Sequence, residues 1–368
     1  MVNNVKEKLN GFHIALLIYM IELDITIFSL PRLIAENFGT NGWIGLIGLF
    51  GVAMFNIYLY KLVFKLGKGR SAFAIVEAFV PKALLYPIYT LLALFWLTLG
   101  AFVGKHFILI FQMISFQTSS PMLIFLLFCI LVYALLVKDI YSIGKANTLF
   151  FILSIWMVFL VIYFIDDWKL VRFTSFFFKG ADEGRTLHDW VEVYTVFSGY
   201  ELCLFLFPFV DKDSKLFKGV FIGQMMFTVV LLLTVWTSFG FFSFEQIKAL
   251  QYPIINQLEN IELPFINRLE NLVYTFFLFS NLMSTVMYCY ASLSTMRRIF
   301  PHARAKLLEI VIVCLVFAAG FIPQILRQSE ALLRTSYFIE ISLAFAIPVI
   351  LIPLAWRLRS RKGGMTEE

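Results

Sequence analysis

The chain has 368 residues, of which 60% are hydrophobic and 18% aromatic, while only 15% carry a charge. Its mean hydropathy of +0.85 excludes an ordinary soluble domain, in which apolar residues make up about half of the chain. The formal net charge of +6 does not indicate nucleic-acid binding, because the basic residues cluster at the ends of the apolar segments. The sequence therefore predicts an integral membrane protein whose main partner is the lipid bilayer.

Apolar stretches long enough to cross a bilayer occur ten times along the chain. They cover residues 11–33, 42–64, 84–113, 121–137, 142–165, 190–210, 217–242, 268–295, 306–323 and 335–356. An even number of spans places both termini on one side, and that side carries 20 of the 30 basic residues, against nine on the other. By the positive-inside rule we expect both termini to be cytoplasmic. The chain 1–368 is expected to form a single transmembrane domain with a short cytoplasmic tail at 357–368.

Two of these spans contain a polar interruption followed by a proline. The first carries Asp24, Ile25 and Thr26, with Glu22 beside them. The sixth carries Ser198, Gly199, Tyr200 and Glu201. Glycine weakens a helix, and an acid within the membrane is costly enough to be a functional candidate. The pattern predicts broken helices, whose free backbone groups bind a small zwitterion or ion; close packing of Gly199 against a neighbouring helix is the alternative.

Ten spans divide into two sets of five, at about 11–165 and 190–356. Because five is odd, the second set must lie inverted relative to the first. The interrupted spans are then the first of each set, where inverted-repeat transporters place discontinuous helices. We therefore predict an all-α membrane protein, a 5+5 inverted repeat of ten helices in which helices one and six are interrupted.

Short motifs in several spans carry a family resemblance. They are Leu30-Pro31-Arg32, Gly42-Trp43, Ser198-Gly199-Tyr200-Glu201, Leu204-Phe205-Leu206-Phe207-Pro208 and Pro264-Phe265-Ile266-Asn267-Arg268-Leu269-Glu270. With them the chain resembles the spore germination permease family, the B subunits of bacterial endospore germinant receptors. That family is similar to the amino acid–polyamine–organocation transporters and their LeuT-like fold. The chain departs from the family at Asp24-Ile25-Thr26, where relatives have a glycine-x-glycine pair.

The resemblance implies recognition of a small nutrient, such as an amino acid, in the inner membrane of the spore. It also implies a complex with an A subunit and a lipoprotein C subunit. Two other functions agree with the residues: a secondary amino-acid transporter coupled to H⁺ or Na⁺, and a ligand-free subunit that supports an ion-conducting partner. The intramembrane acids favour the first two, and the missing glycine pair favours the third.

The buried acids allow two interpretations each. Asp24 either forms an ion pair with Lys105 or His106, or takes part in a ligand or proton site. Glu201 either caps the half-helix that follows Gly199 or receives the ammonium group of a ligand. Neither choice follows from the sequence alone.

Polar and aromatic residues on other spans complete the candidate ligand site. Trp96 and Gly100 are four residues apart and therefore share one helix face. Trp96 either forms the wall of a pocket above a gap left by Gly100, or both residues simply pack against a neighbouring helix. Asn281 and Ser284 lie on a polar stripe that either coordinates an ion or hydrogen-bonds a neighbouring helix. Tyr200 either closes over a pocket or packs.

No catalytic or metal-binding pattern occurs in the sequence. The four histidines are scattered, and the four cysteines lie in apolar stretches without Cys-x-x-Cys spacing. No phosphate-binding loop and no Ser/His/Asp grouping is present. The sequence predicts neither an enzyme nor a cofactor.

Overall fold

The computed structural model describes residues 9–173, 176–181, 186–210, 215–261 and 268–363, with side chains as far as residue 360. Within these ranges the chain is helical and contains no strand. The α-helices are α1 (Gly11–Glu22), α2 (Leu30–Asn37), α3 (Trp43–Leu66), α4 (Ala72–Glu77), α5 (Lys82–Ser115), α6 (Pro121–Leu136), α7 (Ile140–Ser154), α8 (Leu187–Tyr194), α9 (Leu216–Phe241), α10 (Phe244–Ala249), α11 (Pro253–Leu258), α12 (Leu269–Ile299), α13 (Ala305–Ala319) and α14 (Leu326–Gly363). The 3₁₀ segments are Ile25–Ser29, Ile155–Asp167, Leu170–Arg172, Thr195–Phe197 and Tyr200–Phe209.

The described residues form a multi-pass membrane protein. Six helices are long and apolar enough to cross a bilayer, and two bent pairs raise that number to as many as eight. The bent pairs are Gly11–Glu22 with Ile25–Asn37 and Leu187–Phe197 with Tyr200–Phe209. They are called here the first and second broken spans, and their presence confirms the predicted interruption of helices one and six.

The two remaining predicted spans coincide with shorter helices. The helix α6 has 16 residues and α13 has 15, which is less than the roughly 20 residues that cross a bilayer without tilt or thinning. The count of ten spans therefore stays a prediction. The last span differs most from its expected bounds, because α14 begins at Leu326 instead of at 335. The additional turns precede the apolar stretch and carry polar side chains.

The core lies where α5 packs against α12, and both helices are largely buried. By contrast, Ile140–Asp167 leaves most of its apolar side chains at least partly exposed, as expected for a lipid-facing helix. A second close contact joins α1 to α9 through Gly219 and Gly223 on α9. A Cβ atom at these positions would lie 2.4 Å from the carbonyl oxygen of Gly11 and 2.5 Å from that of Ala15, respectively. Only glycine allows the two backbones to approach so closely.

Three short helices identify the faces of the molecule. The helix α4 follows its N-cap Ser71, whose hydroxyl accepts from the backbone N–H of Ala74 at 3.2 Å. It lies on the face expected to be cytoplasmic, which is called the α4 face below. The helices α10 and α11 lie after α9 on the opposite face.

Candidate functional site

The first broken span is interrupted by a carboxylate that caps the helix after it. Helix α1 ends at Glu22, and the chain is extended at Asp24, with φ −106° and ψ −179°. One Asp24 carboxylate oxygen accepts from the backbone N–H of Thr26 at 2.9 Å and from its hydroxyl at 2.5 Å. The two halves meet at 52°. A capping aspartate thus forms the break where the family has glycines, and Ile25 opens the second half.

A side chain of α12 donates a hydrogen bond to the free carbonyl oxygen at the end of α1. The Ile21 carbonyl oxygen, left without a helical partner, accepts from the Ser284 hydroxyl at 2.7 Å. One turn earlier, Asn281 donates to the carbonyl of Phe277 at 3.0 Å, and its own side-chain oxygen is buried without a donor. Ser284 therefore ties two helices together at the break, while Asn281 has an unused acceptor.

The second broken span depends on Gly199. Its φ of +122° is one that L side chains rarely adopt, and a Cβ there would lie 2.7 Å from Cγ2 of Ile21. Ser198 before it is extended, and its hydroxyl is buried without a partner. Glu201 reaches back and accepts from the Gly199 backbone N–H at 3.0 Å. The two halves of this span meet at 42°. The short distance between Gly199 and Ile21 shows that the two breaks are in contact with each other.

Buried carboxyl groups surround this contact. The carboxyls of Glu201 and Glu340 are hydrogen-bonding neighbours, and Glu340 also accepts from the Tyr288 hydroxyl at 2.8 Å. The second oxygen of each of these glutamates accepts from no N–H or hydroxyl donor, and Gln224 is the hydrogen-bonding neighbour of the nearby Glu22 carboxyl. Two carboxyl groups in such contact share one proton. Among the described residues no lysine, arginine or histidine pairs with these acids, and no group of three ligands could hold a metal ion.

Of the two interpretations of Asp24, the ion pair with Lys105 or His106 is contradicted by the structure. The second Asp24 oxygen accepts from the Tyr337 hydroxyl instead. Lys105 donates to the sulfur of Met122 at 2.9 Å, and His106 contacts the Ser329 hydroxyl at 3.2 Å. The cause is the rotation of α5, which turns positions 105 and 106 toward α6 and the start of α14.

A cavity of about 610 Å³ runs from the α4 face to the breaks. Trp96, Glu201 and Phe205 line its inner end, while α4 and two arginines line its mouth. The Trp96 ring stacks on Tyr288 with centroids 5.9 Å apart. Gly100 lies one turn further and does not form a gap, because a Cβ there would lie 3.0 Å from Cβ of Tyr288. Trp96 is thus a cavity wall, and Gly100 allows α5 and α12 to pack closely.

A smaller cavity of about 280 Å³ reaches the breaks from the opposite face. Ile25, Thr26 and Tyr337 are among its lining residues, together with charged side chains. Tyr252 donates to the Glu330 carboxylate at 2.6 Å. Burial and this hydrogen bond raise the pKa of Tyr252, so its phenol stays a neutral donor.

Tyr200 lines neither of the two cavities. Its hydroxyl accepts from the Asn56 amide at 2.7 Å and bonds the Tyr194 hydroxyl at 2.8 Å. The side chain is buried. Tyr200 therefore anchors the break and does not swing over either cavity in this state.

Glu340 and Tyr337 on α14 escaped the sequence-based search. Both contact acids at the breaks. A usable signal was present, because Glu340 is the lone acid in the apolar run 335–356. The criterion that selected Glu201 selects it as well.

Comparison with known proteins identifies the family. A family model described as spore germination protein matches residues 8–329. The chain belongs to the spore germination protein family. It is also similar to Spore germination protein B2 of Bacillus subtilis (strain 168), with 21% identity over 257 residues, or 68% of each chain. The motif 264–270 lies within the matched range, although its residues 264–267 lie outside the described residues.

Solved structures show which fold this germination protein has. MhsT in complex with L-phenylalanine matches with a TM-score of 0.66 and 13% identity, over 95% of this chain and 89% of that one. The nucleobase-cation-symport-1 transporter MHP1 matches at 0.60 with 14% identity, over 94% and 78%. The Eremococcus coleocola manganese transporter matches at 0.53 with 14% identity, over 94% and 77%. The chain thus has the LeuT-like fold of transporters, and its relatives are permeases and transporters, not enzymes.

Proposed function

We propose that this germination protein is the B subunit of a nutrient germinant receptor in the inner membrane of the spore. It recognises a small nutrient, such as an amino acid, in a pocket midway through the membrane, and both its termini are cytoplasmic. The observation that carries this proposal is the contact of the two broken spans at Gly199 and Ile21, at the end of a cavity of about 610 Å³. Pockets of this size hold small molecules.

The germination response follows from a shift of the half-helices when the pocket is occupied. Two of the predicted site residues, Trp96 and Glu201, line the cavity, and Ser198 and Gly199 lie just before Glu201 in the same broken span. A ligand between Trp96 and Glu201 contacts both α5 and the second broken span, and so changes the angle between them. Movement of these helices is then transmitted to the A subunit and the lipoprotein C subunit.

A secondary transporter is the second candidate. Two cavities of about 610 and 280 Å³ approach the same pair of breaks from opposite faces. Such an arrangement is what alternating access requires. In that case Asp24 and Glu201 take part in coupling to H⁺ or Na⁺.

Binding and uptake measurements on the purified full-length protein in liposomes separate these functions. Radiolabelled amino acids are tested against the wild type, Trp96→Ala and the matched control Trp43→Ala. Trp96 lines the large cavity, whereas Trp43 packs on Trp236 near the start of α3. Binding without uptake, lost in Trp96→Ala alone, supports the receptor, and uptake supports the transporter. Neither binding nor uptake of any amino acid overturns both amino-acid recognition and amino-acid transport.

A further inference from the structure

The chain's own carboxylates occupy the N-termini of both half-helices that begin at the breaks. Helix N-termini are where backbone N–H groups bind anions. At the first break, Asp24 accepts from Thr26 and from Tyr337, so each of its oxygens is used. At the second, Glu201 accepts from the Gly199 N–H. A ligand's carboxylate therefore finds an acid already bound at each N-terminus.

The carboxyl group at the inner end of the large cavity has an unused acceptor oxygen. Glu201 lines the cavity and is 2% exposed; its second oxygen accepts from no N–H or hydroxyl donor, and the Glu340 carboxyl is its hydrogen-bonding neighbour. The Ser198 hydroxyl, close to Glu201 in sequence, is buried without a partner, and Gln224 is the hydrogen-bonding neighbour of the Glu22 carboxyl. The titratable groups that face Glu201 and Glu340 from every surrounding helix are Glu22, Asp24, Tyr60, Tyr194, Tyr200, Cys203, Tyr288 and Tyr337. This described set contains no basic side chain.

Aromatic rings form the walls beside Glu201. Trp96 and Phe205 both line the cavity, with ring centroids 6.2 Å apart and planes at 90°. Faces of aromatic rings attract cations, most strongly when the site is shielded from water. The two basic residues on this cavity lie at its mouth, where Arg297 pairs with Glu309 at 3.0 Å and Arg298 with Glu77 at 3.7 Å. Their charges are thereby offset by acids.

We propose that the large cavity selects a small organic amine without a carboxylate, whose ammonium group lies on the Glu201–Glu340 pair and against Trp96 and Phe205. The proposal rests on the proposed function for the place of the pocket and names the class of ligand. When the ammonium group arrives, the pair releases its shared proton, which leaves through the cavity. The amine stays protonated and no covalent bond of the ligand changes.

Three probes with the same phenyl group test this ligand class: phenethylamine, L-phenylalanine and 3-phenylpropionate. Isothermal titration uses the full-length protein in nanodiscs at pH 7, in two buffers of different ionisation enthalpy. We expect phenethylamine to bind about tenfold or more tightly than L-phenylalanine, and phenylpropionate not to bind. The difference in heat between the buffers should correspond to release of about one proton per amine bound.

Two variants connect the result to the carboxyl pair. Glu201→Gln keeps an oxygen for the Gly199 N–H, and Glu340→Gln keeps one for Tyr288, so both should fold. Each should weaken phenethylamine binding about tenfold and abolish proton release, whereas the exposed control Glu245→Gln should change neither. If a variant does not fold, the proposal is tested by the wild type alone, through the relative affinities of the three probes and the number of protons released.

The outcomes separate this inference from the function on which it rests. L-phenylalanine binding as tightly as phenethylamine, with binding lost in Trp96→Ala, overturns amine selectivity and leaves the nutrient pocket supported. Equal binding of the uncharged 2-phenylethanol also overturns amine selectivity. No binding of any probe, together with no binding of labelled amino acids, contradicts both.

Discussion

Asn56 on α3 donates to the carbonyl oxygen of Ala344 on α14, with the amide nitrogen 3.0 Å from that oxygen. The oxygen has no helical partner because Pro348, four residues later, lacks an N–H. Tyr60 bonds it too, at 2.9 Å, and the same Asn56 amide bonds Tyr200. One asparagine thus connects α3, α14 and the second broken span.

Replacing Asn56 with leucine should destabilise the protein. The change removes a donor from two buried acceptors, which keep Tyr60 and Tyr194 as their remaining partners, and each lost hydrogen bond costs about 0.5–1.5 kcal/mol. The matched control is Asn147→Leu, because Asn147 is equally buried but neither of its amide atoms has a partner. Thermal unfolding in detergent should show a lower midpoint for Asn56→Leu and an unchanged or higher one for Asn147→Leu. Equal losses in the two variants would contradict the role of the Ala344 carbonyl.

Gly199→Ala should be costly for reasons of backbone geometry. The positive φ at this position strains any L residue by about 1–3 kcal/mol, and the new methyl group would press on Ile21. Gly48→Ala is the control, since nothing lies within 4 Å of its Cβ position and alanine favours a helix by roughly 0.5–1 kcal/mol. The unfolding midpoints should move in opposite directions. A Gly199→Ala protein as stable as the wild type would show that the break adopts another conformation.

A double-mutant cycle should separate the partners of Asp24. Asp24→Asn and Lys105→Met should be additive within about 0.5 kcal/mol, because the two side chains share no contact. Asp24→Asn and Tyr337→Phe should couple by about 0.5–3 kcal/mol, since the phenol donates to the carboxylate. Lys105→Met alone should be tolerated, because the new side chain is apolar beside Met122 and Phe125. A coupling energy between Asp24 and Lys105 would contradict the structure and indicate that the two side chains form an ion pair.

Cysteine labelling tests the orientation in the membrane. Lys82→Cys and Glu245→Cys place exposed thiols on opposite faces, in a Cys314→Ala background because the other native cysteines are buried. With the α4 face cytoplasmic, an impermeant maleimide should label position 245 in intact cells and position 82 only after lysis. Labelling in the reverse order would invert the topology.

The breaks were predictable because their causes are local. The second break is marked by a glycine close to an intramembrane acid and the first by the polar residues Glu22, Asp24 and Thr26. Capping, one of the two roles considered for Glu201, depends only on the Gly199 N–H two residues away. The partners across the bundle were not predictable. Whether Asp24 meets Lys105 or Tyr337 depends on how α5 and α14 rotate about their axes, and hydrophobic stretches without a polar face do not fix that rotation.

The close contact of α9 with α1 has a mechanical consequence. Because the backbones touch at Gly219 and Gly223, α1 can slide along α9 only if the two helices separate. We therefore expect α1 and α9 to move together, with the extended residue Asp24 as the hinge. The far end of α9 leads directly into α10 and α11, so a displacement that begins on one side of the membrane is delivered to the other.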